Sequence, residues 1–456
     1  MEKIKDLQGK KVLVVGSGIS GIGAAELLAS KGVETILFDT NDQLAESALR
    51  AKLTADSPII ILLGAVPEQV DAEIGLVVLS PGVPTDTPFA ESYRERGIPI
   101  WGEIELAYHF AKGRVVAITG TNGKTTTTTL VGQIMEAWYP SVFVVGNIGN
   151  PYTAIAEKTE EDSVVVAEIS SFQLETIEKF APRVSAILNI TPDHLNRHHT
   201  MECYIETKEK ITKNQTKEDL CVLNYENEYT RAFGGRCPAS VIYFSSARKL
   251  ENGYYLEGED IFFAENGLGE KIMSIHEMNL VGMCNVENVM AAMAISRGMQ
   301  VPMEVILKTI RTFQAVEHRI EFVATKGGVD YYNDSKGTNP DAAIQGIRAM
   351  SKPTILIGGG YDKQSTYDEW IQAFDGKVKA LVLIGQTREK IATCAEKYGV
   401  KNIRMADTFE EAFAICVQEA VSGDAVLLSP ACASWGMFQS YEVRGRIFKE
   451  FVQALS

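Results

Sequence analysis

The sequence lacks the features that mark membrane and secreted proteins. Nowhere in its 456 residues is there a run of roughly 18 apolar residues of the kind that crosses a membrane. The N-terminal segment has no apolar core of the kind found in signal peptides. Seven cysteines are scattered along the chain without a Cys-x-x-Cys pair, which disfavours a disulfide framework and a zinc site. We therefore expect a protein of the reducing cytoplasm.

Basic residues are also in the minority. The chain has 44 Lys and Arg against 59 Asp and Glu, which gives a formal net charge of −15. Because nucleic-acid backbones bind basic surfaces, we expect no nucleic-acid partner, while a local basic pocket for a small anionic substrate remains compatible with this composition. The length predicts two or three domains. We expect the chain to bind small molecules and to act as a monomer.

Strand and helix patterns alternate along the chain, which predicts parallel sheets with crossover helices. The strands are predicted at residues 11–15, 33–38, 76–79, 115–119, 142–145, 164–167, 186–189, 329–332, 354–357, 381–384 and 425–428. Residues 96–102 are interpreted as a joint to the next domain, residues 220–275 as carrying more antiparallel-looking strands, and residues 285–298 as an Ala- and Met-rich core helix.

The predicted fold class is α/β, with three domains in series. Residues 1–99 are predicted to form a Rossmann-like N-terminal domain, residues 100–314 a central P-loop ATPase-like domain, and residues 315–456 a C-terminal doubly wound domain. In open α/β sheets, ligands lie beyond the carboxyl ends of the strands. Residues just past those ends are therefore the candidate site residues.

The most informative motif follows the predicted strand 115–119. Its backbone N–H groups and the N-terminus of the following helix suit a triphosphate, while Lys124 can reach the terminal phosphates and Thr125 can ligate Mg²⁺. The motif is shorter than Gly-x-x-x-x-Gly-Lys-Ser/Thr because Ile118 stands in place of the first glycine, which disfavours a common kinase or GTPase. The loop residues are Gly120, Thr121, Asn122, Gly123, Lys124, Thr125 and Thr126.

A second glycine-rich loop, Gly16-x-Gly18-x-x-Gly21, follows the first predicted strand, and the acidic residue Asp39 ends the next. This spacing matches the dinucleotide-binding fingerprint and, taken alone, suggests an NAD-dependent oxidoreductase. A helix N-terminus and a carboxylate also suit the diphosphate and the nucleoside of a nucleotide-sugar. Both interpretations remain open at this level.

Further polar residues follow the later strands. Glu168 can hold Mg²⁺, and His194, after Asp193, can bind a second metal or a phosphate oxygen. Lys208 lies among polar residues and is predicted on a solvated helix face. In the third domain, Arg319 can hold a transferring phosphate and Lys336 an anionic group. Cys432 is disfavoured as a nucleophile, because no histidine follows His318.

Taken in order, these segments resemble the Mur ligase family of ATP-dependent amide ligases, over essentially the whole chain. The segments are Gly120-Thr-Asn-Gly-Lys-Thr-Thr126, Gly146-Asn-Ile-Gly149, Glu168-Ile-Ser-Ser-Phe-Gln173, Thr191-Pro-Asp-His194, His318-Arg319, Asn333-Asp-Ser-Lys336 and Ser429-Pro-Ala-Cys-Ala-Ser-Trp435. The Gly16 loop, the Ser80-Pro-Gly82 turn and the last segment favour the D-glutamate-adding member.

The resemblance implies that ATP converts the alanine carboxylate of UDP-N-acetylmuramoyl-L-alanine to an acyl phosphate, which the amine of D-glutamate then attacks. This scheme is chemically sensible, because a carboxylate is a poor acyl donor until one oxygen becomes a phosphate leaving group. The alternatives are another ligase of the superfamily, of the L-alanine-adding or folylpolyglutamate synthase type, an NAD-dependent oxidoreductase, or a non-catalytic nucleotide-binding regulator.

The resemblance also implies residue roles. The ATP residues would be the loop 120–126 with Asn285, Arg319 and Asp334, and two Mg²⁺ would be held by Thr125, Glu168, His194 and a carbamylated Lys208. The UDP-sugar residues would be Ser17, Gly18, Ile19, Ser20, Asp39, Thr40, Ser80, Pro81, Gly82 and Asn147. D-Glutamate would meet Thr338, Lys363, Ser434 and Tyr441, and the catalytic set would be Lys124, Glu168, His194, Lys208 and Lys336. The chain departs from the family pattern at Asn196, Cys284, Gly436 and Arg446.

Overall fold

The computed structural model of the protein describes residues 9–455. Residues 1–8 and residue 456 lie outside the described residues. These include the N-terminal segment considered for a signal peptide and the outer limits of the first and third predicted domains. The chain divides into two compact units. One runs up to Ile272 and includes Val289–Thr309, and the other combines Met273–Asn288 with the chain from Ile310 onward. The predicted domain boundaries at 99/100 and 314/315 stay predictions.

The first sheet, in the first unit, has five strands in the order β3-β2-β1-β4-β5, all parallel. Its strands are β1 Lys11–Val15, β2 Thr35–Asp39, β3 Ile60–Leu63, β4 Ile74–Leu79 and β5 Ile100–Gly102. Its helices are α1 Ile19–Ser30, α2 Glu46–Arg50, α3 Glu68–Asp71, α4 Pro88–Glu95 and α5 Glu103–Phe110. The segment interpreted as a joint therefore contains the edge strand β5, which pairs with β4.

The second sheet has nine strands in the order β14-β13-β12-β11-β10-β9-β6-β8-β7. Its strands are β6 Arg114–Thr119, β7 Val142–Gly146, β8 Val164–Glu168, β9 Val184–Ile187, β10 Leu220–Asn224, β11 Ser240–Ser245, β12 Gly253–Glu257, β13 Asp260–Glu265 and β14 Leu268–Ser274. Helices α6 Lys124–Glu136, α7 Ser171–Leu174, α8 Leu195–His198, α9 Met201–Glu209 and α10 Glu228–Gly234 accompany them, with 3₁₀ turns at Tyr152–Ala154, Ala156–Lys158, Lys210–Thr212 and Ile275–Glu277.

The central strands of this sheet are apolar because they are buried on both faces: β6 reads Arg-Val-Val-Ala-Ile-Thr, and its last five residues are buried. The prediction of antiparallel strands over residues 220–275 is wrong for β10 and β11, and for the pairing of β12 with β11. β10 pairs in parallel with β9 and β11, and β11 pairs in parallel with β12. An antiparallel ladder begins only at β12 and β13.

The third sheet, in the second unit, has the order β15-β16-β20-β17-β18-β19. All its pairs are parallel except β15 with β16. The strands are β15 Glu321–Lys326, β16 Val329–Asn333, β17 Thr354–Gly359, β18 Val378–Ile384, β19 Ile403–Met405 and β20 Ala425–Leu428. The helices are α13 Pro340–Arg348, α14 Asp368–Gln372, α15 Arg388–Lys397, α16 Phe409–Glu419 and α17 Tyr441–Ala454.

Two helices, α11 Met283–Gly298 and α12 Met303–Thr312, precede this sheet in the chain. Every residue of α11 from Val289 to Ile295 is fully buried, which confirms the predicted Ala- and Met-rich core helix. Among the described residues, no helix combines the length and the apolarity that crossing a bilayer requires.

Candidate active site

The loop after β6 forms a glycine turn at the position where the sequence predicts phosphate binding. Gly123 has φ +84°, a left-handed conformation that favours glycine, and α6 begins at the next residue without a side-chain cap. Asn189, just after β9, holds the loop: its Oδ1 accepts from Asn122 N–H at 2.8 Å and its backbone oxygen from Thr121 N–H at 3.0 Å. The uncapped first turn of α6 can therefore present its N–H groups to an anion.

Two lysines meet at this loop. Lys124 Nζ donates to the backbone oxygens of Gly120 and Thr121, both at 2.8 Å. Lys208 Nζ, on α9, donates to the same Gly120 oxygen at 2.9 Å and lies 4.7 Å from the ring centroid of Tyr204. The prediction of a solvated position for Lys208 is wrong, since its side chain is buried. Burial and the neighbouring Lys124 push the pKa of Lys208 well below its ordinary value.

Glu168, the last residue of β8, offers an unused oxygen beside this loop. Its Oε1 accepts from the Asn147 amide at 2.9 Å, whereas its Oε2 is buried with no hydrogen-bond partner among the described residues. A buried carboxylate oxygen without a donor costs free energy unless a cation or a water completes it. The donor set at this position therefore fits Mg²⁺, which prefers hard oxygen ligands.

The topology explains why these residues converge. In the sheet, β6 lies between β8 and β9, so the carboxyl ends of those strands flank the phosphate loop. His194 follows β9, is half exposed, and has φ +53°, with its Nε2 3.5 Å from Asp193 Oδ2. Within residues 9–455 no cluster of three His, Cys, Asp or Glu that could hold a metal occurs. Only Glu168 and His194 of the predicted metal set belong to those residue types.

The second glycine loop is held tightly against its own sheet. A Cβ at Gly21 would lie 1.8 Å from the Gly16 carbonyl oxygen, so the turn closes only with glycine there. Asp39 Oδ2 accepts from the Ser17 N–H at 3.0 Å and from the Ser17 hydroxyl. Burial raises the pKa of Asp39, but hydrogen bonds from Ser17 and Asn41 outweigh it and leave this pKa below its ordinary value. The carboxylate predicted to face uridine thus also positions the loop.

The remaining residues predicted for the UDP-sugar surround this loop. Ser80 Oγ, just after β4, donates to the Gly16 oxygen at 3.2 Å. Gly18 precedes α1, which has no side-chain cap, and the Ile19 side chain is 75% exposed at the first position of that helix. Such an exposed apolar side chain beside an open helix N-terminus suits a ligand with an anionic part and a flat apolar part. Ser20, Thr40, Pro81 and Gly82 are partly or fully exposed in the same segments.

An ion pair within the first unit was not predicted from the sequence. Arg197, on α8, makes two hydrogen bonds to Glu175, at 3.0 and 2.7 Å, and donates to the Val83 oxygen at 2.9 Å. Thr85 also donates to Glu175, at 2.9 Å. These bonds connect the turn after β4 to the segment that carries His194. No local signal marks the pair, because its members lie 22 residues apart.

In the second unit, Asp334 lies just after β16 in a buried position. Its Oδ2 accepts from Ser429 Oγ at 2.6 Å and its Oδ1 from Ile320 N–H at 3.3 Å. Burial raises the pKa of Asp334 to about 7, although the bond from Ser429 and the charges of Arg319 and Arg444 oppose the rise. The Asn285 side-chain amide donates to the Val281 oxygen at 2.8 Å.

Lys336, Tyr441 and Ser335 do come together. Lys336 Nζ lies 3.8 Å from the ring centroid of Tyr441, and Ser335 Oγ donates to the Tyr441 oxygen at 2.8 Å. The buried Arg444 donates to Ser335 O at 2.8 Å and thereby fixes the segment that carries Lys336. Thr338 adjoins this segment through its N–H, which donates to the Lys336 oxygen at 2.8 Å.

The segment after β20 carries Cys432 and Ser434, both buried. The Cys432 sulfur lies 3.1 Å from Tyr367 Oη and 3.3 Å from Thr387 Oγ1, and burial raises the pKa of this thiol. A buried thiol of raised pKa is a poor nucleophile, in agreement with the prediction. Lys363, in the loop after β17, lies over Trp435, 5.0 Å from the ring centroid.

Comparison with known proteins gives three family matches along the chain. Residues 10–102 match the Mur ligase MurD-like N-terminal domain, residues 118–296 the Mur ligase middle domain, and residues 318–432 the glutamate ligase domain of Mur ligases. The chain is 58% identical over 447 residues to the UDP-N-acetylmuramoylalanine–D-glutamate ligase of Lachnoclostridium phytofermentans, covering 98% of both chains. It is 47% identical over 453 residues to the enzyme of that name from Clostridioides difficile, covering 99% of this chain and 100% of that one.

Solved structures share the fold at lower identity. The UDP-N-acetylmuramate–alanine ligase MurC of Thermotoga maritima superimposes with a TM-score of 0.61 at 21% identity, covering 97% of this chain and 99% of that one. The MurF ligase of the same organism, solved in complex with ADP, gives 0.60 at 15% identity, covering 98% and 99%. These likenesses confirm the α/β fold with three domains in series.

Proposed function

The chain belongs to the Mur ligase family, and on that premise we propose which of its residues bind each substrate of the ATP-driven amide ligation. The enzyme adds D-glutamate to UDP-N-acetylmuramoyl-L-alanine in the synthesis of peptidoglycan precursors. The observation that carries this function is the 58% identity to a ligase of that name over 98% of both chains. The NAD-dependent alternative leaves the phosphate loop and the third sheet without a role.

ATP supplies the phosphoryl group that turns the substrate carboxylate into an acyl phosphate. We assign the phosphates of ATP to the uncapped first turn of α6 and to Lys124. In the hydrogen bonds described above, the Lys124 ammonium donates to two neutral carbonyl oxygens of its own loop. A phosphate oxygen is a stronger partner for that cation, because charge-assisted hydrogen bonds are about twice as strong as neutral ones. By the family resemblance, Asn285, Arg319 and Asp334 are also assigned to ATP.

Bound magnesium would neutralise phosphate charge and orient the reacting groups. We assign one ion to Glu168, whose Oε2 has no hydrogen-bond partner within residues 9–455, together with the Thr125 hydroxyl. His194 and Lys208 are assigned to a second ion. Lys208 serves as an anionic ligand only after its amine adds CO₂ and loses a proton to become a carbamate. The lowered pKa supports this assignment, since only the uncharged amine can attack CO₂, and the carbamate N–H can still donate to the Gly120 oxygen.

The two remaining substrates are assigned to separate groups of residues. The diphosphate of the UDP-sugar is assigned to residues 17–20 at the N-terminus of α1, the uridine to Asp39, Thr40 and the turn 80–82, and the muramoyl part to Asn147. D-Glutamate is assigned to Thr338, Lys363, Ser434 and Tyr441, with Lys336 acting on an anionic group. Because both ATP and the UDP-linked precursor are cytoplasmic metabolites, we place the reaction in the cytoplasm. The monomeric state stays a prediction.

A substrate-panel assay tests this function directly. ADP and phosphate release should require UDP-N-acetylmuramoyl-L-alanine and D-glutamate together. Replacing D-glutamate with L-glutamate or L-alanine should reduce release to the background of the two-substrate reaction. Equal turnover with either L-amino acid would contradict the assigned specificity.

A further inference from the structure

In the second unit, the loop after β17 is fixed to the segment after β20. The Tyr361 N–H donates to the Ala433 oxygen at 2.9 Å, and the two residues form an antiparallel bridge. A Cβ at Gly360 would lie 2.4 Å from that same oxygen, so the two backbones are in close contact. The side chains that follow on the two segments are therefore held in a defined relation to each other.

On this fixed backbone, two aromatic rings and one lysine form a small exposed cluster, consisting of Tyr361, Lys363 and Trp435. The two rings pack edge to face, with centroids 5.6 Å apart at 61°. The Lys363 ammonium lies 5.0 Å from the Trp435 centroid. Tyr361 is 41% exposed and Trp435 is 54% exposed, so neither ring fills a core. Their contact with Lys363 therefore explains their arrangement better than burial in a core does.

The acidic residue next to Lys363 in the chain makes its contacts with other residues. Asp362 forms an ion pair with Lys390 at 3.3 Å, and its Oδ1 accepts from Gln364 N–H at 2.8 Å. Among the described residues, Lys363 has no ion pair with an acidic side chain. An aromatic face attracts an ammonium without occupying its N–H donors as a carboxylate would. Lys363 is therefore restrained while its donors stay available to an incoming anion.

We propose that Trp435, supported by Tyr361, is a positioning residue that holds Lys363 in place for a carboxylate of D-glutamate. This inference rests on the proposed function, which assigns Lys363 to D-glutamate. Without the indole, the lysine side chain would sample more rotamers and would have to be ordered when the substrate binds. Removing the indole should therefore weaken the binding of D-glutamate, while the binding of ATP and of the UDP-sugar should be unaffected.

The test compares Trp435→Leu with Trp435→Phe in the full-length enzyme. We expect Trp435→Leu to raise the KM for D-glutamate about three- to tenfold, with kcat and the KM values for ATP and the UDP-sugar within about twofold of wild type. Trp435→Phe keeps an aromatic face and should recover most of the affinity. Trp138→Leu, which removes a 49%-exposed tryptophan in the first unit, is the matched control and should leave all constants unchanged. Thermal unfolding of each variant separates misfolding from weakened binding.

A double-mutant cycle with Lys363→Met distinguishes the possible failures. If Trp435 acts through Lys363, adding Trp435→Leu to Lys363→Met should raise the KM for D-glutamate by less than about twofold. Full additivity, or a normal KM in folded Trp435→Leu, would overturn the positioning role while leaving the proposed function intact. A normal KM in Lys363→Met would overturn the assignment of Lys363 and the inference with it. Absence of D-glutamate-dependent ADP release in the wild type would contradict the proposed function itself.

Discussion

Lys124 and Lys208 donate hydrogen bonds to the same backbone oxygen, that of Gly120. Lys124 lies at the start of α6 and is partly exposed, whereas Lys208 is buried on α9. Because both amines approach one acceptor, a positive charge on either disfavours a charge on the other. The accessible Lys124 ammonium is therefore suited to binding an anion, whereas the buried Lys208 amine is suited to the uncharged form.

The first prediction concerns Lys124. Lys124→Ala should lower kcat for ADP release about 10³-fold, because it removes the cation assigned to the phosphates. Steady-state assays with all three substrates measure this loss. Lys52→Ala, at an exposed position in the first unit, is the control and should behave as wild type. Near-normal activity in folded Lys124→Ala would refute the assigned site.

The second prediction concerns modification of Lys208. Lys208→Ala should be inactive on its own and should regain activity when short carboxylic acids such as acetate or propionate are added, because these can occupy the space of the carbamate. Activity is measured against the concentration of the added acid. Lys124→Ala serves as the control and should not respond to these acids. Normal activity of Lys208→Ala without added acid would reject the carbamylation.

The third prediction concerns the second glycine loop, which follows β1. Gly21→Ala should destabilise the protein by about 1–3 kcal/mol and raise the KM for the UDP-sugar, because the added methyl group collides with the Gly16 oxygen. Gly18→Ala meets nothing within 4 Å, so it should leave the unfolding free energy within about 0.5 kcal/mol of wild type. Urea unfolding and initial-rate measurements check both effects. Equal stability of the two variants would contradict the close contact.

The fourth prediction concerns pH and Glu105, a buried carboxylate on α5. It accepts the backbone N–H groups of Glu178, Lys179 and Phe180 at 3.0, 2.7 and 3.0 Å. Burial raises the pKa of Glu105, but contact with His109 and these three N–H groups outweighs it and holds the pKa below its ordinary value. A lowered folded-state pKa contributes stability above the unfolded pKa of about 4.3, and this contribution is lost as the pH falls through the folded-state pKa.

Glu105→Gln should therefore cost about 2–3 kcal/mol of unfolding free energy at pH 7, because one acceptor oxygen is replaced by a donor facing N–H groups. The difference between variant and wild type should begin to shrink as the pH falls below the unfolded-state pKa of about 4.3, and it should be smallest below the folded-state pKa, where the wild-type carboxylate is also protonated. Urea denaturation at pH 7 and at a series of acidic pH values measures this change. A difference that is independent of pH would show that the charge of Glu105 does not stabilise the fold.

The turn and the helix start at residues 120–126 could be predicted from the sequence because their signal is local. A strand, two glycines, a lysine and a threonine lie within a few residues of one another, and each has a separate physical role. Strand positions could also be predicted, since buried parallel strands are short apolar runs. Strand direction could not be predicted. The apolar runs of β10, β11 and β12 would have the same sequence pattern in parallel and in antiparallel pairs, because the connections between strands decide the pairing.

The environment of Lys208 shows where sequence reasoning fails in the site itself. Its neighbours along α9 are polar, which is typical of an exposed helix face. Its burial depends on Tyr204, one turn away, and on the Gly120 oxygen, 88 residues earlier in the chain. The ion pair of Arg197 with Glu175 was missed for the same reason. Contacts of this kind arise only after the sheet has brought distant strand ends together.

The closed turn between Gly16 and Gly21 has a consequence for inhibitor design. A compound that binds this loop through backbone atoms alone would contact a surface that tolerates little change, since any side chain at position 21 enters the space of a main-chain oxygen. Resistance could then arise at neighbouring residues, such as the exposed Ile19, but hardly at the glycine itself. Inhibitors that avoid the Ile19 side chain should therefore retain potency for longer under selection than inhibitors that depend on it.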